Sequence, residues 1–256
     1  MLVLIAESKT MTACDDQVSV STDNKPLLDA KANELMFSLR GMTAEQLSSA
    51  VKISLPMARR LREMIYEFED KRHGARAINA FTGVVFKAFN PKSLNECDRA
   101  FANEKVRIIS SLYGYLRPGD FVKAYRFDFT TKLAPGNLPM SVYWRDDVTT
   151  LIKNELERTG DNEILNLLPA DAEREIDLKQ LSTKAKVVKA EFVEMSEGNS
   201  GRTPSANRLK TLRGELLRQI VTEKIERLSD LCSLEGANYI SGDTISNKNT
   251  IVFTTA

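Results

Sequence analysis

Arg213 is the residue whose position most plainly indicates chemistry. Residues 204–227 predict the longest helix of the chain, and at about 100° per residue the helix carries one apolar stripe with Arg213 at its middle. The stripe consists of Leu209, Leu212, Leu216, Leu217 and Ile220. A guanidinium in such a stripe either pairs with a carboxylate or faces a cleft that supplies an anion. The sequence leaves both interpretations open, a structural ion pair and an anion-binding role.

Lys9 is a second candidate because it closely follows the first apolar segment, residues 1–6, which predicts a buried strand. In α/β sheets, the loops beyond the carboxyl ends of the strands line the ligand crevice. Lys9 therefore has a favoured position for contacting an anion, and the alternative interpretation is a surface lysine.

Of two further arginines, Arg117 lies within a turn-rich segment at residues 112–120 and Arg126 follows it; Gly114 and Pro118 interrupt regular structure in this segment. Tyrosines there, Tyr113 among them, offer stacking planes, and aromatic rings among arginines are typical of nucleotide or nucleic-acid binding. The structural alternative is a tight turn held by an Arg–Asp bridge. We expect four cations to converge on one cleft: Lys9, Arg117, Arg126 and Arg213. Tyr113 and Lys210 complete the predicted anion-binding set.

Residues 43–67 predict two helices separated by a short break. Thr43 and Gln46 form a capping box at the start of the first helix, and Pro56 stands in the first turn of the second. Amide N–H groups at the start of a helix can hold a DNA phosphate, although any helical hairpin has this spacing. The sequence therefore predicts a helix-hairpin-helix-like element whose DNA-binding residues are Lys52, Ser54, Arg59 and Arg60.

The composition argues against several other kinds of chemistry. The only histidine, His73, lies in a charged loop context, so His-rich zinc sites are excluded and a Ser/His or Cys/His pair has no other histidine to use. The three cysteines, Cys14, Cys97 and Cys232, are too widely spaced for a local metal or redox motif. No nucleophile elbow, Walker loop or dinucleotide-binding glycine motif is present. We therefore assign no catalytic residue, no metal and no cofactor.

The charge balance and the hydropathy restrict the classes to which the protein can belong. The 256 residues carry 36 basic and 35 acidic side chains, and 42% of them are hydrophobic, as in ordinary soluble domains. The apolar N-terminal segment is too short for a secretory signal, and no segment approaches the roughly 18 apolar residues that span a bilayer. With the sparse cysteines, these features predict a cytoplasmic protein without a membrane segment.

Helical and strand patterns alternate along the chain without a long linker. This order predicts a single α/β domain over residues 1–256, with a mixed sheet surrounded by helices. Besides those named above, we predict helices at residues 31–40, 94–103 and 143–158. Strands are predicted at residues 81–89, 106–111, 163–168, 184–196, 239–240 and 250–254, and loops at 14–26, 135–139 and 198–204.

Residues 112–118, Leu-Tyr-Gly-Tyr-Leu-Arg-Pro, followed by Asp120, Tyr125 and Arg126, resemble the signature of the YaaA family of bacterial peroxide-stress proteins. Further similarities, in the expected order, are Lys9-Thr10, Phe81-x-Gly83, Asn166-Leu167, Arg213-Gly214 with Arg218, and Glu235-Gly236. The resemblance covers essentially the whole chain. Two segments depart from it: Ala6-Glu7-Ser8 replaces Ser-Pro-Ala, and residues 169–172 stand where the family tends to have Ser followed by Glu-Tyr.

The resemblance implies an α/β protein with a basic cleft and a helix-hairpin-helix that binds DNA, limiting oxidative DNA damage and free iron during peroxide stress. Residues 43–67 lack the Gly-x-Gly of the standard hairpin. Our leading hypothesis is a peroxide-stress protein that binds double-stranded or structured DNA, largely independently of sequence. The alternative is an enzyme acting on a nucleotide-like or phosphorylated small molecule in the same cleft, and a third is a scaffold with neither activity. A small closed pocket would favour the enzyme, and an open basic groove would favour DNA.

Overall fold

A mixed β-sheet forms the centre of the computed structural model, which describes residues 1–12, 24–69, 74–195, 201–242, 245–246 and 249–255. His73 and Cys14 lie outside the described residues, as do parts of the loops expected at 14–26 and 198–204. The strands are β1 (Leu2–Ala6), β2 (Ala75–Arg76), β3 (Val106–Ser110), β4 (Gly114–Leu116), β5 (Phe121–Val122), β6 (Glu163–Asn166), β7 (Lys186–Met195), β8 (Gly201–Arg202), β9 (Glu235–Gly236), β10 (Tyr239–Ser241) and β11 (Thr250–Thr255).

Helices surround this sheet, as the alternation of patterns predicts. They are α1 (Asp29–Ser38), α2 (Ala44–Val51), α3 (Leu55–Tyr66), α4 (Ala77–Ala80), α5 (Val84–Phe89), α6 (Glu96–Lys105), α7 (Met140–Thr159), α8 (Leu178–Leu181) and α9 (Ala206–Glu223). Short 3-10 turns cover residues 39–41, 67–69, 91–93, 135–137, 172–175 and 228–231. No helix in these ranges is long and apolar enough to cross a membrane.

The main sheet is parallel at its centre and antiparallel at its edges. Its spatial order is β4-β3-β1-β6-β7-β11-β10-β9, and β8 pairs with β7. The neighbours from β3 to β11 pair in parallel. At the edges, β4 pairs antiparallel with β3, and β10 with β11. The predicted α/β class with a mixed sheet is thus confirmed.

The strand order reverses at β1, and this reversal makes the carboxyl end of β1 a favoured place for a ligand. After β1 the chain forms β3 on one side of it and later β6 on the other, so crossovers leave β1 in both directions. The strand ends at Ala6, Ser110 and Asn166 lie at the same edge of the sheet because the three strands are parallel. Ligands of open α/β sheets bind at such switch points, beyond the carboxyl ends of the strands.

The predicted capping box of α2 is present. The Gln46 amide N–H donates to Thr43 Oγ1 over 3.3 Å, and the Thr43 N–H donates to Gln46 Oε1 over 2.8 Å. The next helix begins at Leu55, with Pro56 in its first turn. Local side-chain chemistry therefore set both helix starts as expected.

Two predictions about elements are wrong. Residues 81–89 do not form a strand, because Val84–Phe89 is a helix that begins after Gly83. This valine- and phenylalanine-rich segment packs against α9, where Gly214 lets the two backbones approach closely, so tertiary packing overrides its β propensity. The longest helix is α7 with 20 residues, whereas α9 has 18.

Candidate functional site

A cavity of about 330 Å³ lies beyond the carboxyl ends of β1 and β6. Three further segments close it: the start of α5, one side of α9 and residues 128–129. Its polar and charged lining residues are Glu7, Ser8, Lys9, Thr10, Asp128, Asp171, Lys210 and Arg213, and the rest of the lining is mainly apolar. The switch point of the sheet therefore holds a cavity of ligand size, at the lower end of the range of about 300–1,000 Å³ for small-molecule sites.

Arg213 lines this cavity and has no hydrogen-bond or ion-pair partner among the described residues. Its Nε atom is buried and lacks a hydrogen bond, and within the described ranges the guanidinium forms no ion pair. Burial lowers the pKa of Arg213, and the negative charges of Glu173 and Asp171 oppose that effect from a distance. Of the two interpretations left open by the sequence, the structural ion pair is not observed. The buried Nε–H therefore has no acceptor among the described residues.

Lys210 and Lys9 are the other two cations of the lining. Lys210 is exposed, one turn of α9 before Arg213. Lys9 Nζ lies 2.9 Å from Asp128 Oδ2, and Arg126 Nη1 donates to the Lys9 carbonyl over 3.0 Å. Although burial opposes its charge, hydrogen bonds from Thr130, Lys9 and Thr131 lower the pKa of Asp128 to about 2. Lys9 is thus already paired, whereas Lys210 and Arg213 form no ion pair with the residues that the structure describes.

Glu7 is the main functional candidate that the sequence did not identify. The Ser111 N–H donates to Glu7 Oε2 over 3.0 Å, the Ser111 hydroxyl donates to Oε1, and the Tyr125 hydroxyl donates to Oε2. Burial of the carboxylate raises the pKa of Glu7 to about 7 against the effect of these hydrogen bonds. A carboxyl group directly after a buried strand, two residues from Lys9, was the signal that could have identified it.

Glu175 is a second unusual carboxyl group near the cavity. Its side chain has 0% exposure, and neither carboxyl oxygen has a hydrogen-bond partner among the described residues. Burial raises the pKa of Glu175 well above its ordinary value, and the negative charges of Glu7 and Asp171 add to this effect. The fold therefore favours the neutral form of this group.

The cavity has a mixed charge, whereas the resemblance implies a basic cleft. Three cations, Lys9, Lys210 and Arg213, face the same space as three carboxyl groups, Glu7, Asp128 and Asp171. Such a lining can hold an anionic group beside α9 and exchange a proton at Glu7. No group of three or more metal-ligating side chains occurs in the described part of the chain.

Two residues of the predicted anion-binding set lie elsewhere. Arg117 lines a separate cavity of about 450 Å³ and donates from Nε to Asp120 Oδ1 over 2.8 Å, which is the Arg–Asp turn considered as the alternative. Tyr113 is buried in the core, where its hydroxyl accepts the Lys123 N–H over 3.0 Å. Of the four predicted cations, Lys9 and Arg213 line the cavity, whereas Arg126 does not line it and donates a hydrogen bond to the Lys9 carbonyl. Arg117 does not line it, because its turn holds it at Asp120.

The predicted DNA-binding residues lie on the α2–α3 pair, outside the cavity. Lys52 ends α2 with a left-handed backbone at φ 57°, the conformation that a glycine of a standard hairpin supplies without strain. Ser54 precedes α3, and its side chain makes no capping hydrogen bond. Together with Arg59 and Arg60 these residues are exposed. The two helices and their break are present, but a helix-hairpin-helix is not established by them.

The fold and its cavity define an α/β protein with a ligand-sized, mixed-charge cavity at the switch point of a parallel-centred sheet. The chain belongs to the peroxide stress protein YaaA family, whose model matches residues 1–243. A UPF0246 protein of Parabacteroides distasonis is 28% identical over 256 residues, with 99% of each chain covered. A UPF0246 protein of Crocosphaera subtropica is 30% identical over 261 residues, again with 99% of each chain covered. The family name supports a general role in peroxide stress.

Proposed function

We propose that the protein acts in peroxide stress by binding a small anionic molecule, of nucleotide-like or phosphorylated chemistry, in the cavity at the carboxyl ends of β1 and β6. We place this role in the cytoplasm, the compartment that the sparse cysteines favour. One observation carries the proposal: the Arg213 guanidinium lines a mainly apolar cavity with a buried Nε that has no partner in the described ranges. A buried guanidinium nitrogen without a hydrogen-bond acceptor is costly unless an anion supplies one.

The rest of the lining fits the same class of ligand. Apolar side chains such as Val84, Phe129 and Leu167 can cover the body of a small molecule. Lys210 lies beside Arg213 on α9 to share the negative charge. At about 330 Å³ the cavity suits a small molecule, so a DNA duplex would contact another part of the surface.

The experiment is a thermal-melting series with adenosine monophosphate (AMP) and with adenosine, which lacks the phosphate. A ligand that binds only the folded state raises the melting temperature as its concentration increases. We expect AMP to raise it in the native protein and adenosine to leave it nearly unchanged. The Lys210→Gln variant should lose most of the AMP effect. Arg208→Gln is the matched control, since it removes one positive charge from the same helix outside the cavity lining. Equal AMP effects in both variants would refute the proposal.

DNA binding by the α2–α3 pair is the second candidate. The specific observation is that Lys52, Arg59 and Arg60 are exposed on adjoining segments and form no ion pair within the described ranges. Such cations can neutralise backbone phosphates without reading base sequence. This candidate preserves the DNA partner implied by the resemblance and assigns it to a surface separate from the cavity.

For this candidate, the logarithm of the DNA affinity should fall with the logarithm of the salt concentration with a slope of about −3 to −4, for three or four neutralised phosphates. Replacing Arg59 and Arg60 together by alanine should flatten the slope by about two units and weaken all duplexes alike. Gel-shift titrations at several salt concentrations measure this. The control is Lys179→Ala with Lys186→Ala, two exposed lysines outside the α2–α3 pair. An unchanged slope in a folded Arg59/Arg60 variant would remove DNA binding from this surface.

A further inference from the structure

The hydrogen bonds around Glu7 have a fixed direction. The Ser110 hydroxyl oxygen accepts the amide N–H groups of Leu112 and Tyr113, over 3.3 and 3.0 Å, so its own proton is directed to the Tyr125 hydroxyl, 2.6 Å away. The Ser110 hydroxyl also acts on Glu7 directly, and this hydrogen bonding lowers the pKa of Glu7. Tyr125 in turn donates to Glu7 Oε2. The hydrogen bonds therefore run from Ser110 to Tyr125 and from Tyr125 to Glu7. The carboxylate accepts a hydrogen bond from Tyr125 and donates none to it.

This network leaves one position of the Glu7 carboxylate unused. An ionised carboxylate offers about four lone-pair sites. Oε2 accepts two hydrogen bonds, from the Ser111 N–H and from Tyr125, while Oε1 accepts one, from the Ser111 hydroxyl. The remaining lone pair is on Oε1, and Glu7 lines the cavity. A proton can therefore bind at Oε1 without breaking any of the three hydrogen bonds.

We propose that Glu7 takes up a proton from solvent at Oε1 when an oxyanion enters the cavity, and that the resulting O–H donates a hydrogen bond to that oxyanion. This inference rests on the proposed anion binding at Lys210 and Arg213. It names the ligand class as a phosphate-, sulfate- or carboxylate-like group and makes Glu7 one of its binding residues. One proton is taken up, and no other bond forms or breaks.

The groups around Glu7 set the direction of the effect. Its hydrogen-bond donors come from the end of β3 and from Tyr125, and the buried Glu175 interacts with it electrostatically. The other charged groups that line the same cavity are Asp171, the Lys9–Asp128 pair, and the two cations Lys210 and Arg213. An oxyanion that neutralises these cations leaves an ionised Glu7 beside a like charge, which favours the protonated carboxyl. The pKa of Glu7, already raised to about 7 by burial, should therefore rise further on binding.

The test is a carboxyl ¹³C NMR titration of the full chain from about pH 5 to about pH 9, without and with sulfate at constant ionic strength. Sulfate does not titrate in this range, so a changed midpoint belongs to the protein. Glu7→Gln identifies the Glu7 signal by its disappearance, and Asp128, with its pKa lowered to about 2, titrates outside the range. We expect a midpoint near 7 without sulfate and a rise of about one unit with it, a tenfold change in proton affinity.

Reciprocal linkage gives a second readout. Sulfate affinity in the native protein should increase as the pH falls through 7, whereas in Glu7→Gln, whose amide never ionises, it should be nearly constant over this range. Glu226→Gln, an exposed carboxylate outside the cavity, should keep the native pH dependence.

The outcomes separate this inference from the proposed function. If sulfate shifts the backbone amide signals of Lys210 and Arg213 but not the Glu7 midpoint, anion binding stands and proton uptake by Glu7 is refuted. If sulfate shifts neither, both fail. A Glu7 midpoint below about 5 without sulfate, the ordinary range of an exposed glutamate, would also overturn the inference.

Discussion

Replacing Arg213 with glutamine is expected to weaken AMP binding by about 10- to 100-fold, or about 1.4 to 2.8 kcal/mol, while leaving the fold at least as stable as in the native chain. Affinity falls because the guanidinium is the most desolvated of the cavity's free cations. Stability does not fall because Arg213 forms no ion pair within the described ranges and its buried Nε has no hydrogen bond to lose. Titration calorimetry with AMP and thermal melting of the free protein measure the two effects.

This opposition between binding and stability distinguishes a binding arginine from a structural one. If Arg213 held the fold together, the variant would melt at a lower temperature, and its weaker binding would reflect unfolding. Arg208→Gln, the matched loss of charge on α9, should leave both quantities nearly unchanged. A destabilised Arg213→Gln variant with undiminished AMP affinity would contradict the role given to this residue.

Replacing Gly214 with alanine is expected to destabilise the protein by about 1 to 3 kcal/mol, the usual cost of overpacking a well-packed interior. A Cβ atom at this position would lie 2.2 Å from the Val85 carbonyl oxygen and 2.7 Å from the Ala88 Cβ. Since the first contact is with backbone, α5 and α9 must separate to accommodate it. At about 2–4 °C per kcal/mol for a chain of similar size, the melting temperature should fall by roughly 2–12 °C.

Gly41 provides the control for this substitution. A Cβ atom added there would meet nothing within 4 Å. Gly41→Ala should therefore change the free energy of unfolding by no more than about 0.5 kcal/mol. Equal melting temperatures for the two alanine variants would mean that α5 and α9 do not pack through Gly214 as described.

The periodic patterns of this sequence predicted most elements because each pattern reflects a local cause. The apolar run at residues 1–6 and the capping box at Thr43 both act within a few residues, and both elements formed where expected. The prediction of a strand at residues 81–89 was wrong because the cause of the structure there is not local. Helix α5 depends on a contact with Gly214, more than a hundred residues further along the chain. No local pattern carries that information.

The candidate site likewise contains residues that a local pattern could predict and residues that depend on distant contacts. The position of Arg213 could be predicted, since a charge inside an apolar stripe is visible in the sequence. The Glu7 network could not, because its donors Ser111 and Tyr125 lie more than a hundred residues from Glu7 and meet it only through the pairing of β1 with β3 and the segment after β5. Arg117 was expected in the same cleft but lies elsewhere, because Asp120, three residues away, holds it in the turn.

A crystal structure of the protein grown with AMP would locate the bound phosphate and so test the proposed anion site. We expect phosphate density in the cavity at the carboxyl ends of β1 and β6, within hydrogen-bond distance of the Arg213 guanidinium or of Lys210 Nζ. A cavity that holds no AMP under conditions where AMP raises the melting temperature, or AMP bound only at the α2–α3 pair, would contradict this expectation.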